Sequence, residues 1–247
     1  MNDIVIRVYG DSISNPRYGQ DISLWDIYCG NGEGGLLEKL QNKYPNKRVY
    51  IYNKSQNGTN IEKVKDVISA DEGCFYGAQT IVILYIGIVD CAPRPIPEKI
   101  KKIISKTPEI VKSRIIKFLH DNRKSILKIK SHNITPPNKF EQTYNDILNC
   151  LQKSTKAICI GIGPVSQSMC QKTFGLETSI EQYNKIIENA ATKFNVQFVD
   201  INKHFREIME KENLNEQDVL LEDGHHFTPK GHKIASEIIY NSIQNLF

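Results

Sequence analysis

The sequence predicts an α/β fold, a three-layer α/β/α sandwich around five parallel strands, on three observations. Five short β-rich runs, Ile4 to Tyr9, Val49 to Tyr52, Thr80 to Ile86, Ala157 to Ile162 and Val196 to Ile201, are nearly continuous in apolar residues. Strands covered on both faces read this way, whereas half-exposed strands alternate. Helical patterns separate the runs, and strand and helix alternate through most of the chain, as a parallel sheet with right-handed crossovers requires. With 247 residues, 40% of them hydrophobic and 24% charged, one sizeable core can form, so residues 1–247 are expected to make a single domain.

The elements follow in order. After the first run, Leu36 to Tyr44 has helical spacing. The second run leads to a turn at Asn57-Gly58 and then to a helical stripe from Ile61 to Ile68. The third ends in Gly87-Ile88-Val89-Asp90. The segment from Ala92 to Pro137 departs from the pattern, with Pro93, Pro95, Pro97 and Pro108 inside it and Pro136-Pro137 closing it. Ile103, Ile104, Ile110, Val111, Ile115, Ile116, Phe118 and Leu119 suggest two or more amphipathic helices there, read as an insertion between the third strand and its crossover helix. Phe140, Tyr144, Ile147, Leu148 and Leu151 form the stripe of that crossover helix. The next helix is expected to begin at a Thr178/Glu181 capping box and to carry Ile180, Tyr183, Ile186, Ile187, Ala190 and Phe194 on one face. The last has Thr228 as N-cap and Pro229 at its first position.

Net charge is only +4, but residues 92–132 hold twelve Lys/Arg against three Asp/Glu. Such a block is either a solvated helical face or a surface for an anionic substrate or membrane. An insertion after a strand's carboxyl end lies near the ligand crevice of an open α/β sheet. A lid or substrate-selecting role is therefore expected, with deletion of residues 98–135 changing substrate preference more than stability. No stretch approaches a membrane span and the N-terminus has no basic leader, so a soluble cytoplasmic protein is expected. Cys29, Cys74, Cys91, Cys150, Cys159 and Cys170 include no Cys-x-x-Cys pair, which favours buried free thiols over disulfides or zinc.

Two short motifs at opposite ends carry the chemistry. Gly10-Asp11-Ser12 follows the first strand, where Ser12 is either a nucleophile at a helical turn or an ordinary N-cap. Asp223-Gly224-His225-His226 lies ahead of the last helix. The three-residue separation lets Asp223 orient His226, which can then accept a proton from a serine hydroxyl. In the order Ser, Asp, His they are the minimum set for acyl transfer. Asp223, His225, His226 and His232 could also be a fragment of a metal site, but no second cluster of matching spacing appears, so no metal is expected. Asp11 and Asp90 are read as structural carboxylates accepting loop N–H groups. Gly161-Ile162-Gly163-Pro164 has neither P-loop lysine nor dinucleotide spacing. No Gly-x-Ser-x-Gly elbow occurs, against an α/β-hydrolase architecture.

The four collinear blocks Gly10-Asp11-Ser12, Gly58, Gly87 to Asp90 and Asp223 to His226, with Gly231-His232 behind them, resemble those of the SGNH, or GDSL-type, hydrolases. The resemblance spans nearly the whole chain. It implies the flavodoxin-like strand order 2-1-3-4-5, with the four blocks meeting at the carboxyl ends of the strands. It further implies Ser12 as nucleophile, His226 as base, Asp223 as its orienting acid, and backbone N–H groups of Ser12 and Gly58 as oxyanion donors. The third block departs from the family, since Val89 stands where the family has an asparagine whose amide also meets the oxyanion. Losing one such donor typically costs about 3 kcal/mol. Replacements to be considered are the amide of Asn57 and the guanidinium of Arg94 or Arg17, although either arginine could instead bind an acidic group on the substrate. The implied activity is hydrolysis of an acyl ester, an acetylated glycan or glycan precursor being the first expectation. The alternatives are an O-acyltransferase with the same residues and a non-catalytic glycan-binding protein. No cofactor, nucleic-acid partner or integral membrane segment is expected.

Overall fold

In a computed structural model of the chain, which describes residues 3–14, 35–75, 79–152 and 155–246, the apolar runs form one parallel sheet. Its strands are β1 (Ile4–Gly10), β2 (Val49–Asn53), β3 (Gln79–Tyr85), β4 (Lys156–Ile160) and β5 (Gln197–Val199). Their order is β2-β1-β3-β4-β5, with every neighbouring pair parallel. The central pair is in register from Ile4 opposite Gln79 to Gly10 opposite Tyr85, which sets the carboxyl ends of β1 and β3 side by side.

Helices cover the sheet. Leu36–Lys43 is α1, Ile61–Ala70 α2, and Ile88–Cys91 a short α3 directly after β3. The insertion holds α4 (Glu98–Ile104), α5 (Glu109–Asp121) and α6 (Arg123–Ile129), and the crossover to β4 is α7 (Pro137–Leu151). Then come α8 (Gln167–Lys172), α9 (Leu176–Lys193), α10 (Ile201–Glu212), α11 (Glu216–Val219) and α12 (Pro229–Ile243). α2, α7 and α9 pack side by side, while α1 packs on α12. Right-handed crossovers require these two groups, because the chain moves one way along the sheet from β1 to β2 and the other way thereafter.

The α7 stripe is buried as its spacing predicts, and Phe140 meets the Tyr183 ring of α9 at 4.9 Å between centroids. Truncating a fully buried ring of this kind costs about 3–5 kcal/mol. Lys39 of α1 pairs with Glu237 of α12, and Lys43 reaches Gln244 at 3.0 Å. Thr228 caps α12 by accepting the Gly231 N–H at 3.1 Å, with Pro229 at the first helical position. Among the described residues no helix is long and apolar enough to cross a membrane.

Three expectations change. α9 begins two residues before Thr178, because Gly175 takes the left-handed conformation (φ +80°) that starts the helix and lets Leu176 be buried. Thr178 is therefore a helical residue, not the cap. Cys74 is exposed, although Cys91 and Cys159 are buried free thiols, and Cys29 lies outside the described residues. Finally, Thr135 is 1% exposed and donates its hydroxyl to Asp90, and its carbonyl accepts the Tyr183 hydroxyl. A deletion through residue 135 would cut into the core.

Candidate active site

Three segments build the site. The first is the turn Asp11 to Ser14, where β1 ends. Asp11 is buried there and its carboxylate accepts the Ile13 N–H at 3.0 Å, fixing the turn from inside. The second is the loop after β2, which is tied to the first. Asn53 Nδ2 donates to the Ser14 carbonyl at 2.6 Å and the Gln56 N–H to the Gly10 carbonyl at 3.1 Å. Gly58 lies in this loop with φ +67°.

The third is the loop before α12, closed by an antiparallel bridge between Leu220 and Phe227 and by the Leu221 N–H on the His226 carbonyl at 2.8 Å. At its tip Gly224 has φ +80° and its carbonyl accepts the Ser166 N–H at 2.7 Å. A Cβ at this position would stand 2.2 Å from Ser166 Oγ, so the loop needs glycine for conformation and for space.

These segments bring Ser12, His226 and Asp223 into one chain of hydrogen bonds. His226 Nε2 is 2.9 Å from Ser12 Oγ, and Nδ1 is 2.8 Å from Asp223 Oδ2. His226 is 5% exposed, so its ring is held by packing as well as by its two partners. Burial pushes the Asp223 carboxyl up, but the N–H groups of His226 (3.1 Å) and His225 (3.3 Å) on Oδ1 and the charge of His226 outweigh it, leaving it lowered to about 2. An ionised Asp223 keeps the proton of a neutral His226 on Nδ1, which leaves the Nε2 lone pair facing the serine hydroxyl. The arrangement can take the proton from Ser12 as its oxygen forms a bond.

Neither the Ser12 nor the Gly58 backbone N–H is engaged in a hydrogen bond among the described residues. Val89 packs half-buried against the core from α3 and offers no donor. Arg94 lies at the base of the insertion. Its backbone bridges His132 across the base of the insertion (N–H to carbonyl 2.8 Å and 3.0 Å), and its side chain lines a cavity with Arg123. Arg17 lies outside the described residues.

Asp223, His225 and His226 present ligand-type atoms within 4.8 Å of one another. Both nitrogens of His226 face Ser12 and Asp223, so an ion there would have to displace the hydrogen bonds that order the site. His232 is not in that cluster. It is half-buried, edge-on to Phe227, and desolvation followed by the charge of His226 lowers it to about 4, so it stays neutral.

Sequence reasoning read Asp90 as a structural carboxylate but missed the rest of the polar frame beneath the site, Thr135, Asn133 and Ser179. Asp90 accepts the Ile61 N–H at 3.1 Å and the Thr135 hydroxyl, while Asn133 Nδ2 and Ser179 Oγ donate to the Cys91 carbonyl at 2.6 and 2.7 Å. Thr135, Asn133 and Ser179 read as loop and surface positions in one dimension.

The model of the GDSL-like lipase/acylhydrolase family matches residues 8–234. Solved structures of similar fold include a lipase/acylhydrolase from Enterococcus faecalis, at 13% identity over 98% of this chain and 96% of that one, with a TM-score of 0.60. A G-D-S-L family member from Veillonella parvula is 12% identical over 98% of this chain and 99% of that one, TM-score 0.58. An acetylxylan esterase from Geobacillus stearothermophilus is 16% identical over 97% and 93%, TM-score 0.63. None of the curated proteins matches the chain in sequence. From Val8 in β1 to Ile234 in α12 the chain belongs to the GDSL-like lipase/acylhydrolase family and is a carboxylic ester hydrolase.

Proposed function

We propose that the chain hydrolyses acyl esters through a Ser12–His226–Asp223 triad and an acyl-enzyme intermediate. The observation that carries this reading is the hydrogen-bond chain of 2.9 and 2.8 Å through the two nitrogens of His226. Ser12 Oγ attacks the ester carbonyl as its proton passes to His226 Nε2, and Asp223 stabilises the imidazolium. His226 then protonates the leaving alcohol, and water activated by the same nitrogen releases the acid. The oxyanion meets the N–H groups of Ser12 and Gly58, with the amide of Asn57 as the side-chain donor in place of the missing asparagine. The substrate is an O-acyl group of small size, an acetylated glycan being favoured because acetylxylan esterases share this fold. Free thiols at Cys74, Cys91, Cys159 and Cys170 support a cytoplasmic setting.

The test is labelling with a fluorophosphonate together with turnover of p-nitrophenyl acetate and of acetylated xylo-oligosaccharides. Label should appear on Ser12 and vanish in His226→Ala, and Ser12→Ala should lower kcat by about 10⁴–10⁶-fold. Absence of label with normal folding would overturn the catalytic reading. Turnover of the phenyl ester with none of the acetylated sugar would remove only the glycan.

A further inference from the structure

The insertion borders a half-open cavity of about 510 Å³ that shares no residue with Ser12, Asp223 or His226. Its volume is in the range of small-molecule sites. One side is apolar, built by Pro95 and Ile96 from the strap after α3, Ile104 from α4, and Ile116 and Leu119 from α5. The other side is cationic, with Arg94, Lys101, Lys112 and Arg123 on the wall and no Asp or Glu among the lining residues.

The cations are not equivalent. Lys112 is paired with Glu109 at 3.0 Å and Lys101 lies 3.9 Å from Glu98 Oε1. The two arginines have no acidic partner among the described residues. Arg123 gives one N–H to the Pro93 carbonyl at 3.1 Å, and Arg94 Nε is buried with no hydrogen-bond partner. Glu98 Oε2 is also unpartnered, so that carboxylate neutralises neither guanidinium. Burial and then the charge of Arg94 lower the Arg123 guanidinium from its ordinary value. Two like charges held together beside an apolar wall are unfavourable until an anion joins them, and the planar forks of arginine suit a carboxylate or phosphate.

We propose that this cavity is a second binding site, for an anionic amphiphile: a medium-length acyl chain ending in a carboxylate or phosphate. The chain lies along Ile96, Ile104, Ile116 and Leu119, and the head group bridges Arg94 and Arg123. The proposal is independent of the triad, because its readout is binding and not turnover. The ligand can come free from solution or from a lipid surface, and exposed Ile103, Ile110 and Phe118 around the site would suit the second source.

Isothermal titration of the full chain tests it, with dodecanoate and dodecyl phosphate as the free probes and phosphatidylglycerol vesicles as the lipid source. One saturable site is expected for the free probes, with dodecyltrimethylammonium and butyrate at least tenfold weaker. The double variant Arg94→Gln/Arg123→Gln should lose at least tenfold in affinity, and Ile116→Asp, on a helix with no buried residue, should do the same. Circular dichroism and melting temperature establish that each variant is folded. Saturable binding to vesicles but not to free probes, lost in the double variant, assigns the lipid source. Binding by neither source, equal binding of the cationic amphiphile, or undiminished binding in the folded double variant overturns the proposal.

Discussion

At position 223 the local sequence does two jobs with one carboxylate. Oδ2 meets the imidazole, while Oδ1 accepts the N–H groups of His225 and His226 and so pins the loop that carries the ring. Because its carboxyl is lowered to about 2, Asp223 stays ionised at every pH at which the enzyme would be assayed. The sign follows: whatever Asp223 contributes is present above the ordinary carboxylate range and is lost only as pH falls through about 2. On the proposed mechanism Asp223→Asn should lower kcat by about 10⁴-fold, because an amide no longer fixes the proton on Nδ1. Steady-state kinetics check this, and a fall below tenfold would mean that the ring is held without it. The motifs made this cluster legible, since both residue types and their spacing are local. The position of Arg94 was not legible. It depends on a bridge to His132, and a lone arginine among prolines carries no sign of which side of a loop it faces.

Elements follow the same division. Continuous apolar runs gave away the strands because β1 and β3 are covered on both faces, and the α7 stripe was visible because its whole face meets the sheet. The N-terminus of α9 was misread because Thr178/Glu181 has the capping pattern, while Gly175 supplies the actual start by its backbone. In the insertion the apolar spacing revealed helices but not what they touch. Neither α4 nor α5 contains a buried residue, and Leu127 of α6 is the buried one among the three helices. Replacing residues 98–129 by a short link across the Arg94–His132 bridge should therefore cost only about 2–5 kcal/mol, the value of one buried leucine. Extending the cut to residue 135 should cost far more, because it removes Thr135 from Asp90 and Tyr183. Urea denaturation of the two deletions distinguishes them, and equal stabilities would contradict the account.

Across the whole molecule, the core is unusual in holding two carboxyls behind the site. Burial raises Asp11 to about 7, with the charge of Asp90 adding to it against the Ile13 N–H. Burial likewise raises Asp90 to about 7 against the Thr135 hydroxyl and the Ile61 N–H. Folded carboxyls raised above their unfolded values of about 4 bind protons that the unfolded chain has released. Their contribution is full below that unfolded value and is lost as pH rises through about 7. Unfolding free energies from urea titration, and with them the midpoints, should accordingly fall from pH 5 to pH 7, by up to about 1.4 kcal/mol per pH unit for each proton held. Asp90→Asn should flatten the decline, and a midpoint that rises across this window in the unaltered protein would refute the assignment. The nucleophile-bearing turn and the histidine loop are 214 residues apart in the chain. All five strands precede the histidine loop in the chain, so the sheet can pair while the Ser12 hydroxyl still lacks a base. On the proposed mechanism, hydrolysis therefore depends on α12 settling beside α1 as much as on the sheet itself.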